Sequence, residues 1–198
     1  MDINNIKSIQ DTVRRKYAEV SQSAEGKFAY PTGKAGALAL GYDISLIENI
    51  PSKLIDSFCG VGNPFSLGLI NSREVVLDVG YGAGFDLYIA SQMVGSTGRV
   101  CGIDLTQEMV ERCRRNLMQL DVSNSEVKLA TSETIPYDDN TFDVVISNGV
   151  LNLSPLKEKS FREIYRVLRP DGRLQFADIV SKEDCPPVSI CSIDAWAQ

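Results

Sequence analysis

The spacing of apolar positions divides the chain into two parts near residue 70. In residues 3–22, apolar side chains recur every three or four positions, which predicts an amphipathic helix. Residues 24–41 are rich in Ala and Gly and are interpreted as a loop with at most a short helix. Asp43 is placed to cap a brief helix that ends before Pro51. We therefore expect residues 1–70 to form a segment of helices and loops that covers the functional site.

From residue 74 onward, short apolar stretches alternate with helical patterns. Strands are predicted at 74–79, 98–104, 126–130, 142–148 and 172–180. Helices are predicted at 85–94, 106–120 and 155–168, the second with Thr106 as its cap. This alternation is typical of a parallel sheet with helices on both faces. We expect residues 71–198 to form a Rossmann-like α/β core whose strands all end at one ligand-binding edge.

The composition of the chain excludes several kinds of chemistry. Hydrophobic residues make up 43% and charged residues 23% of the 198 positions, as in soluble globular domains. The chain contains no His, which excludes a Ser-His-Asp triad, a Cys-His pair and a His-ligated metal site. No cluster of ligands demands a metal. The net charge of -6 argues against nucleic acid as a partner.

Cysteine usage and the termini bear on the cellular compartment. The five Cys are scattered, and Cys101 and Cys113 fall in a predicted strand and helix, where free buried thiols are common. Neither a signal peptide nor a stretch long enough to cross a bilayer is evident. We expect a cytoplasmic protein without disulfides and without a membrane partner.

A glycine loop, Asp78-Val79-Gly80-Tyr81-Gly82-Ala83-Gly84-Phe85, joins the first predicted strand of the core to its first helix. Glycines permit a sharp turn and a close approach to a ligand, although a tight packed turn alone would also use them. Asp104 ends the next strand, where an acid can accept both ribose hydroxyls of an adenosine or can cap the following helix. The loop and the acid together predict a nucleoside site.

Two residues distinguish between nucleoside ligands. Phe85 stands where the dinucleotide fingerprint requires its third glycine. Asp78 would repel a pyrophosphate but suits an amino group. S-adenosylmethionine has an amino group, a cationic sulfonium and no phosphate, so we expect it as the cofactor in preference to NAD.

Four stretches of the core form an ordered set. They are residues 78–84, Gly102-Ile103-Asp104, Ile135-Pro136 ahead of Phe142-Asp143, and residues 167–172. In order and spacing, over residues 72–180, they resemble the motifs of class I S-adenosylmethionine-dependent methyltransferases. The resemblance implies that Asp78 and Gly80 face the methionine end of the cofactor within a glycine loop that includes Gly82 and Gly84.

The same resemblance assigns the nucleoside end. Asp104 would bind the ribose, and Leu105 would lie against adenine. Thr131 and the backbone N–H of Ser132 would border the edge of the adenine ring, although relatives often carry an acid at Thr131.

Further stretches resemble the arsenite methyltransferases within this superfamily. They are Gly41-Tyr42-Asp43, Gly62-Asn63-Pro64, residues 82–86 and residues 147–155. Tyr17 matches a tyrosine that lies near the cofactor in that family. The family binds trivalent arsenic through cysteine thiolates, because this soft ion prefers sulfur.

The chain departs from that family at the expected thiolate positions. Val61 and Gly149 stand where two of the cysteines should be, and a third would lie at or beyond the end of the chain. Cys59 is interpreted as an ordinary loop cysteine, although a rearranged site with Cys185 or Cys191 is conceivable. We expect an arsenite-methyltransferase-like scaffold that has changed or lost its acceptor.

The expected reaction is an in-line displacement at the sulfonium methyl, in which the protein aligns a small-molecule acceptor and excludes water. Arsenite and a quinone-like metabolite are both candidates, and no catalytic residue is assigned. Asn148 at the end of the fourth strand is expected to border the methyl group, or else only to hold a loop.

The resemblance also raises a second hypothesis. Methyltransferases of this type usually add two strands after the fifth, and residues 181–198 are too few to supply much more sheet. The chain would then be a non-catalytic or truncated nucleoside-binding or interaction module. In either case, a homodimer or another partner would cover an open sheet edge. An NAD-dependent oxidoreductase ranks third, because Phe85 and Asp78 disfavour it.

Overall fold

A computed structural model describes residues 3–180, and five parallel strands form its sheet. The strands are β1 (Val75–Val79), β2 (Arg99–Asp104), β3 (Ser125–Leu129), β4 (Phe142–Asn148) and β5 (Leu168–Ala177). Their order is β3-β2-β1-β4-β5, and every neighbouring pair is parallel. The predicted Rossmann-like parallel α/β fold is confirmed. The strand order reverses beside β1, which is where ligands bind in such sheets.

Seven α-helices accompany the strands in the described part of the chain. They are α1 (Ile3–Val20), α2 (Gly33–Ala39), α3 (Ile44–Ile47), α4 (Ser52–Ile55), α5 (Phe85–Val94), α6 (Gln107–Gln119) and α7 (Lys157–Val167). Asp43 caps α3 as predicted, because its side chain accepts a hydrogen bond from the backbone N–H of Ser45. Thr106 occupies the cap position of α6, but its side chain makes no capping hydrogen bond. The backbone N–H of Thr106 donates to Asp104 instead.

The two faces of the sheet bury separate apolar clusters. Val76 of β1 belongs to the cluster that includes Leu87 of α5 and Val110 of α6. Leu77, the next residue, belongs to the cluster that includes Ile164 of α7. Because side chains alternate along a strand, a strand buried on both faces needs an unbroken apolar run. Cys101 and Cys113 are buried free thiols, one in each cluster, as predicted.

The fifth strand begins earlier than predicted. The helix was expected to reach Leu168 and a turn to separate it from a strand starting at Gly172. Instead β5 starts at Leu168, and its pairing with β4 changes register before Arg173. Asp171 adopts a φ of 64° within this irregular stretch. The turn signals around Pro170 are therefore accommodated as a bulge inside the strand.

The N-terminal segment docks onto the core through an aromatic cluster. Phe85 of α5 lies 4.8 Å from Phe58 and 5.4 Å from Tyr42, measured between ring centroids. A bulky residue thus replaces the third glycine of the dinucleotide fingerprint and anchors the segment. Arg112 of α6 adds a hydrogen bond of 2.6 Å to the carbonyl oxygen of Ser21. None of the helices between residues 3 and 180 is long and apolar enough to cross a bilayer.

Removing the Phe85 ring should destabilise the fold strongly. Phe85 is 3% exposed, so Phe85→Ala leaves a cavity and should lower the free energy of unfolding by about 3–5 kcal/mol. Tyr165→Ala is the control, because this ring is 83% exposed and should change stability by about 0.5 kcal/mol or less. Urea denaturation measures both, and equal effects would contradict the anchoring role of Phe85.

Candidate active site

A cleft with about 1050 Å³ of empty space, part of it open to solvent, lies at the carboxyl ends of the strands. Residues of α1 and residues 57–60 form one side of it, so the N-terminal segment contributes to its walls. All of the site residues predicted from the sequence line the cleft, with the exception of Gly84. The predicted residues in the lining are Tyr17, Asp78, Gly80, Gly82, Asp104, Leu105, Thr131, Ser132 and Asn148.

The three glycines of the loop play different parts. Gly80 has a φ of 79°, and a Cβ there would lie 2.3 Å from Val150. At Gly82 a Cβ would meet nothing within 4 Å, so the cleft is open at this point. Gly84 precedes α5, and a Cβ there would lie 2.7 Å from the Cys113 sulfur. Gly84 therefore allows the loop to pack on α6. It is not among the lining residues, and its predicted part in binding the cofactor stays a prediction.

Of the two roles considered for Asp104, the N-cap position of α6 belongs to Thr106, and ribose binding stays a prediction. Its Oδ2 accepts a hydrogen bond of 3.0 Å from the backbone N–H of Gly82. Its Oδ1 accepts one of 2.8 Å from the backbone N–H of Thr106. The carboxylate thus joins the glycine loop to the start of α6 while it lines the cleft. Burial raises its pKa to about 6, although these hydrogen bonds work in the opposite direction.

Two further carboxylates, those of Asp78 and Asp86, belong to the same lining. Asp78 is 2% exposed, and its Oδ2 is buried without a hydrogen-bond partner. Burial, and then the charges of Asp86 and Asp104, raise the pKa of Asp78 well above its usual range. Burial raises the pKa of Asp86 to about 6, partly offset by hydrogen bonds from Tyr42 and Asn148.

No Lys or Arg within residues 3–180 forms an ion pair with any of these three acids. Buried carboxylates are normally paired, because an isolated charge is costly to remove from water. The cleft therefore favours a cationic ligand, because a positive charge would stabilise the ionised form of these carboxyl groups.

Asn148 connects the sheet to the N-terminal segment. Its Oδ1 accepts hydrogen bonds from the backbone N–H groups of Val61 at 2.8 Å and Gly62 at 3.1 Å. Its Nδ2 donates to the Gly62 carbonyl oxygen at 2.8 Å and to Asp86 Oδ2 at 3.0 Å. Of the two roles expected for Asn148, the hydrogen bonds show that it holds a loop. The bordering of the methyl group stays a prediction.

Asp86 and Tyr42 are site features that the sequence did not single out. The Tyr42 hydroxyl donates to Asp86 Oδ1 at 2.6 Å, and both side chains are buried. Asp86 lies in the first turn of α5, a helix whose other buried positions are mostly apolar. An acid at that place, directly after the glycine loop, is a signal that sequence reasoning could have used.

The predicted adenine wall is held by a chain of hydroxyl groups. The Ser132 hydroxyl lies 2.8 Å from that of Ser160 in α7. Ser160 donates to Ser154 at 2.9 Å, and Ser154 donates to Glu133 Oε1 at 2.6 Å. Because the Ser132 side chain is engaged with α7, its backbone is what remains for a ligand, and the predicted N–H contact is compatible with this. Glu133 and Ser154 also line the cleft and were not predicted.

One of the described cysteine thiols, that of Cys59, lies at the cleft. Cys59 lines the cleft, and burial raises its pKa to about 12, so the thiol stays protonated at neutral pH. A Cβ at Gly149 would lie 3.3 Å from the methyl carbons of Val61. Val61 and Gly149, where the resemblance leads us to expect two cysteines, are thus adjacent in space. Cys185 and Cys191 lie outside the described residues.

Residues 70–196 match a family described as a methyltransferase domain. The chain belongs to this methyltransferase family. S-adenosylmethionine is the cofactor that the family implies, and the residues of the cleft fit it. The unpartnered Asp78 oxygen suits its amino group, the acidic lining suits its sulfonium, and the space at Gly82 lets the ligand approach the loop.

Similar proteins include arsenite and quinone methyltransferases. An arsenite methyltransferase of Halobacterium salinarum is 36% identical over 191 residues, covering 89% of this chain and 49% of that protein. The ubiquinone/menaquinone biosynthesis C-methyltransferase UbiE of an Enterobacter species is 41% identical over 122 residues, covering 61% and 48%. The chain therefore spans about half the length of these relatives.

A solved structure also resembles this methyltransferase domain. The arsenic(III) S-adenosylmethionine methyltransferase of Chlamydomonas reinhardtii superposes with a TM-score of 0.67 at 31% identity. The superposition covers 77% of this chain and 56% of the other. The likeness agrees with the resemblance to arsenite methyltransferases found in the sequence.

The stability of the ligand-free domain should rise as the pH falls from 7.5 to 5. The pKa of Asp86 is about 6 in the folded chain and near 3.8 when unfolded, so its favourable contribution is present at low pH and is lost as the pH rises through 6. The gain should be on the order of 1–2 kcal/mol. Glu74 has the opposite effect on stability, because its pKa is lowered to about 2 in the folded chain. Its contribution is lost only as the pH falls below the pKa of the unfolded chain, near 4.5.

Urea denaturation at several pH values measures this effect. Asp86→Asn should reduce the rise, whereas Asp138→Asn, at an exposed turn, should leave it unchanged. Stability that stays constant or falls between pH 7.5 and 5 would show that the buried acids do not carry the raised pKa values.

Proposed function

We propose that the cleft binds S-adenosylmethionine and that the domain transfers the methyl group to a small organic acceptor. The observation that carries this proposal is the convergence of three carboxylates, those of Asp78, Asp86 and Asp104, on one cleft. Asp78 and Asp86 are buried and Asp104 is half-buried, and none of them forms an ion pair with a Lys or Arg among residues 3–180. S-adenosylmethionine has a sulfonium and an ammonium group and no phosphate. It therefore complements this lining, whereas a dinucleotide would bring further negative charge.

Each part of the cofactor has a proposed partner. Asp78 and Gly80 would face the methionine end, where the amino group of the cofactor would donate a hydrogen bond to the buried, unpartnered Oδ2 of Asp78. Asp104 would accept from the ribose hydroxyls through its remaining lone pairs, because a carboxylate offers about four acceptor sites. Leu105, Thr131 and Ser132 would border adenine. Tyr17 of α1 would cover the cofactor from the N-terminal side.

The protein's part in the reaction is mainly alignment. A nucleophilic atom of the acceptor forms a bond to the methyl carbon while the carbon–sulfur bond breaks, and its electron pair stays on sulfur. Such a displacement depends on holding the acceptor in line behind the methyl group and on excluding water. The N-terminal segment, held by Asn148 and the aromatic cluster, supplies that cover over the cleft.

The proposed acceptor differs from arsenite. Trivalent arsenic prefers thiolate sulfur, but Val61 and Gly149 pack against each other where the resemblance expects two cysteines. Cys59, the remaining thiol of the described lining, is held protonated by burial. The similarity to UbiE, a C-methyltransferase, supports an organic acceptor on the same scaffold.

The first test is a calorimetric titration with S-adenosylmethionine at pH 7.5. We expect saturable binding that weakens about 10- to 100-fold in Asp104→Asn, because a hydrogen bond to a charged group is worth about 1.5–3 kcal/mol. Asp138→Asn, an identical change at an exposed acid, should bind as the wild type does. NADH should give no saturable signal.

Two results would reject the proposal. A folded chain that binds neither ligand would favour a non-catalytic scaffold. Binding of NADH in preference to S-adenosylmethionine would reverse the assignment of the cofactor.

A further inference from the structure

We propose that Asp86 is a catalytic proton acceptor, and that the acceptor substrate is an organic molecule that arrives with an ionisable O–H or an activated C–H, such as a phenol or an enol. This inference rests on the proposed function, since it requires the cleft to hold S-adenosylmethionine. It names the chemical class of the substrate and the residue that removes its proton.

The geometry of Asp86 suits a base. The carboxylate lines the cleft and is 8% exposed, so a bound molecule can reach it while bulk water is largely excluded. Tyr42 donates to Oδ1 and Asn148 to Oδ2, which fixes the plane of the group. Each oxygen has a second lone pair, so either can still accept a proton.

The other carboxylates of the lining have other observed or proposed contacts. Both oxygens of Asp104 accept backbone N–H groups, and their remaining lone pairs are proposed to receive the ribose hydroxyls. Glu133 accepts from Ser154 in the wall next to Thr131 and Ser132. Asp78 is more deeply buried than Asp86, and its unpartnered oxygen is proposed to receive the cofactor's amino group. The chain has no His, and burial raises the pKa of Cys59 to about 12 and that of Tyr17 well above its usual range, so a carboxylate is the remaining kind of base in the described lining.

The surroundings of Asp86 combine acid groups with an apolar wall. The charged or titratable groups that face it are Tyr42, Asp78 and Cys59. Its pKa of about 6 leaves it ionised at neutral pH and close to the value that general-base catalysis favours. Asn148, which donates to Asp86, is followed in the cleft lining by Gly149 and Val150, and the Phe58 ring belongs to the same lining. A carbon skeleton fits beside this wall better than an ion that requires thiolates.

The reaction step conserves atoms and electrons. As the oxygen or carbon of the acceptor bonds to the methyl carbon, the carbon–sulfur bond breaks and leaves a neutral thioether. The acceptor's proton passes to a carboxylate oxygen of Asp86. That proton returns to water after the products leave, so no oxidant, reductant or metal takes part.

The test compares three acceptors at saturating S-adenosylmethionine: 4-methylphenol, which keeps its proton at neutral pH, 4-nitrothiophenol, which is largely ionised there, and arsenite with glutathione. For the wild type, kcat with the phenol should fall as the pH drops from 8 to 5.5, with a midpoint no higher than about 6, because kcat reports the pKa of Asp86 with the cationic cofactor bound. The rate with the ionised thiol should stay nearly flat. Titration of the cofactor site would lower both rates alike, so a difference between acceptors isolates proton removal.

Asp86→Asn should lower kcat with the phenol by about 100-fold or more, the usual size of a general-base contribution. It should change kcat with the thiolate at saturating cofactor by less than about threefold, which is under 1 kcal/mol. The Kd for S-adenosylmethionine should rise in this variant, because Asp86 is one of the acids proposed to receive the positive charge of the cofactor. Asp138→Asn should leave all three values unchanged.

A second variant keeps the test valid if Asp86→Asn does not fold. The Tyr42 hydrogen bond lowers the pKa of Asp86, so Tyr42→Phe should move the acidic limb of the phenol profile to higher pH. A purely structural role for Asp86 would not move that limb. The thiolate profile should not shift.

Each other outcome decides against a stated claim. Equal pH profiles for the phenol and the thiolate overturn the role of Asp86. Transfer to the thiolate or to arsenite but not to the phenol also overturns the inference, and leaves the proposed methyl transfer standing. If the cofactor binds but no methyl group is transferred to any of the three acceptors, both the inference and the transferase activity are overturned. If the cofactor does not bind, the proposed function itself is overturned.

Discussion

The carboxylates of Asp78, Asp86 and Asp104 meet at the carboxyl edge of the sheet with no cationic partner among residues 3–180. Burying them together is unfavourable, as the raised pKa of each acid shows. A cleft lined in this way favours a positively charged ligand. The sulfonium and ammonium groups of S-adenosylmethionine would satisfy that preference in the proposed function, and hydrogen bonds from the rest of the site hold Asp86 and Asp104 in place.

Hydrogen bonds from distant parts of the chain maintain the arrangement. Asp104 is held by the glycine loop and by the start of α6, and Asp86 by Tyr42 and Asn148. Asn148 also binds the loop at Val61 and Gly62, so the N-terminal segment and the acidic cleft are parts of one network. We infer that movement of this segment would change access to the cleft and the environment of Asp86 at the same time.

The sequence predicted the parts of the structure that depend on local pattern. Strands buried on both faces and helices after them have strong periodic signals, and the glycine loop followed by Asp104 marked the ligand edge. The predicted start of β5 was wrong. Turn residues around Pro170 can also form a bulge when a neighbouring strand supplies the hydrogen-bonding partner. The contacts of Asp86 with Tyr42 and of Val61 with Gly149 join residues far apart in the chain, and no periodicity encodes them.

The most direct measurement counts the protons exchanged when S-adenosylmethionine binds, by calorimetry at pH 6 in two buffers of different ionisation enthalpy. If the acids are the cation site, the ligand should lower their pKa values and binding should release protons to the buffer. The release should be larger than for S-adenosylhomocysteine, which lacks the sulfonium charge. Binding of both ligands without proton release, or with proton uptake, would contradict the assignment of these carboxylates to the methyl donor.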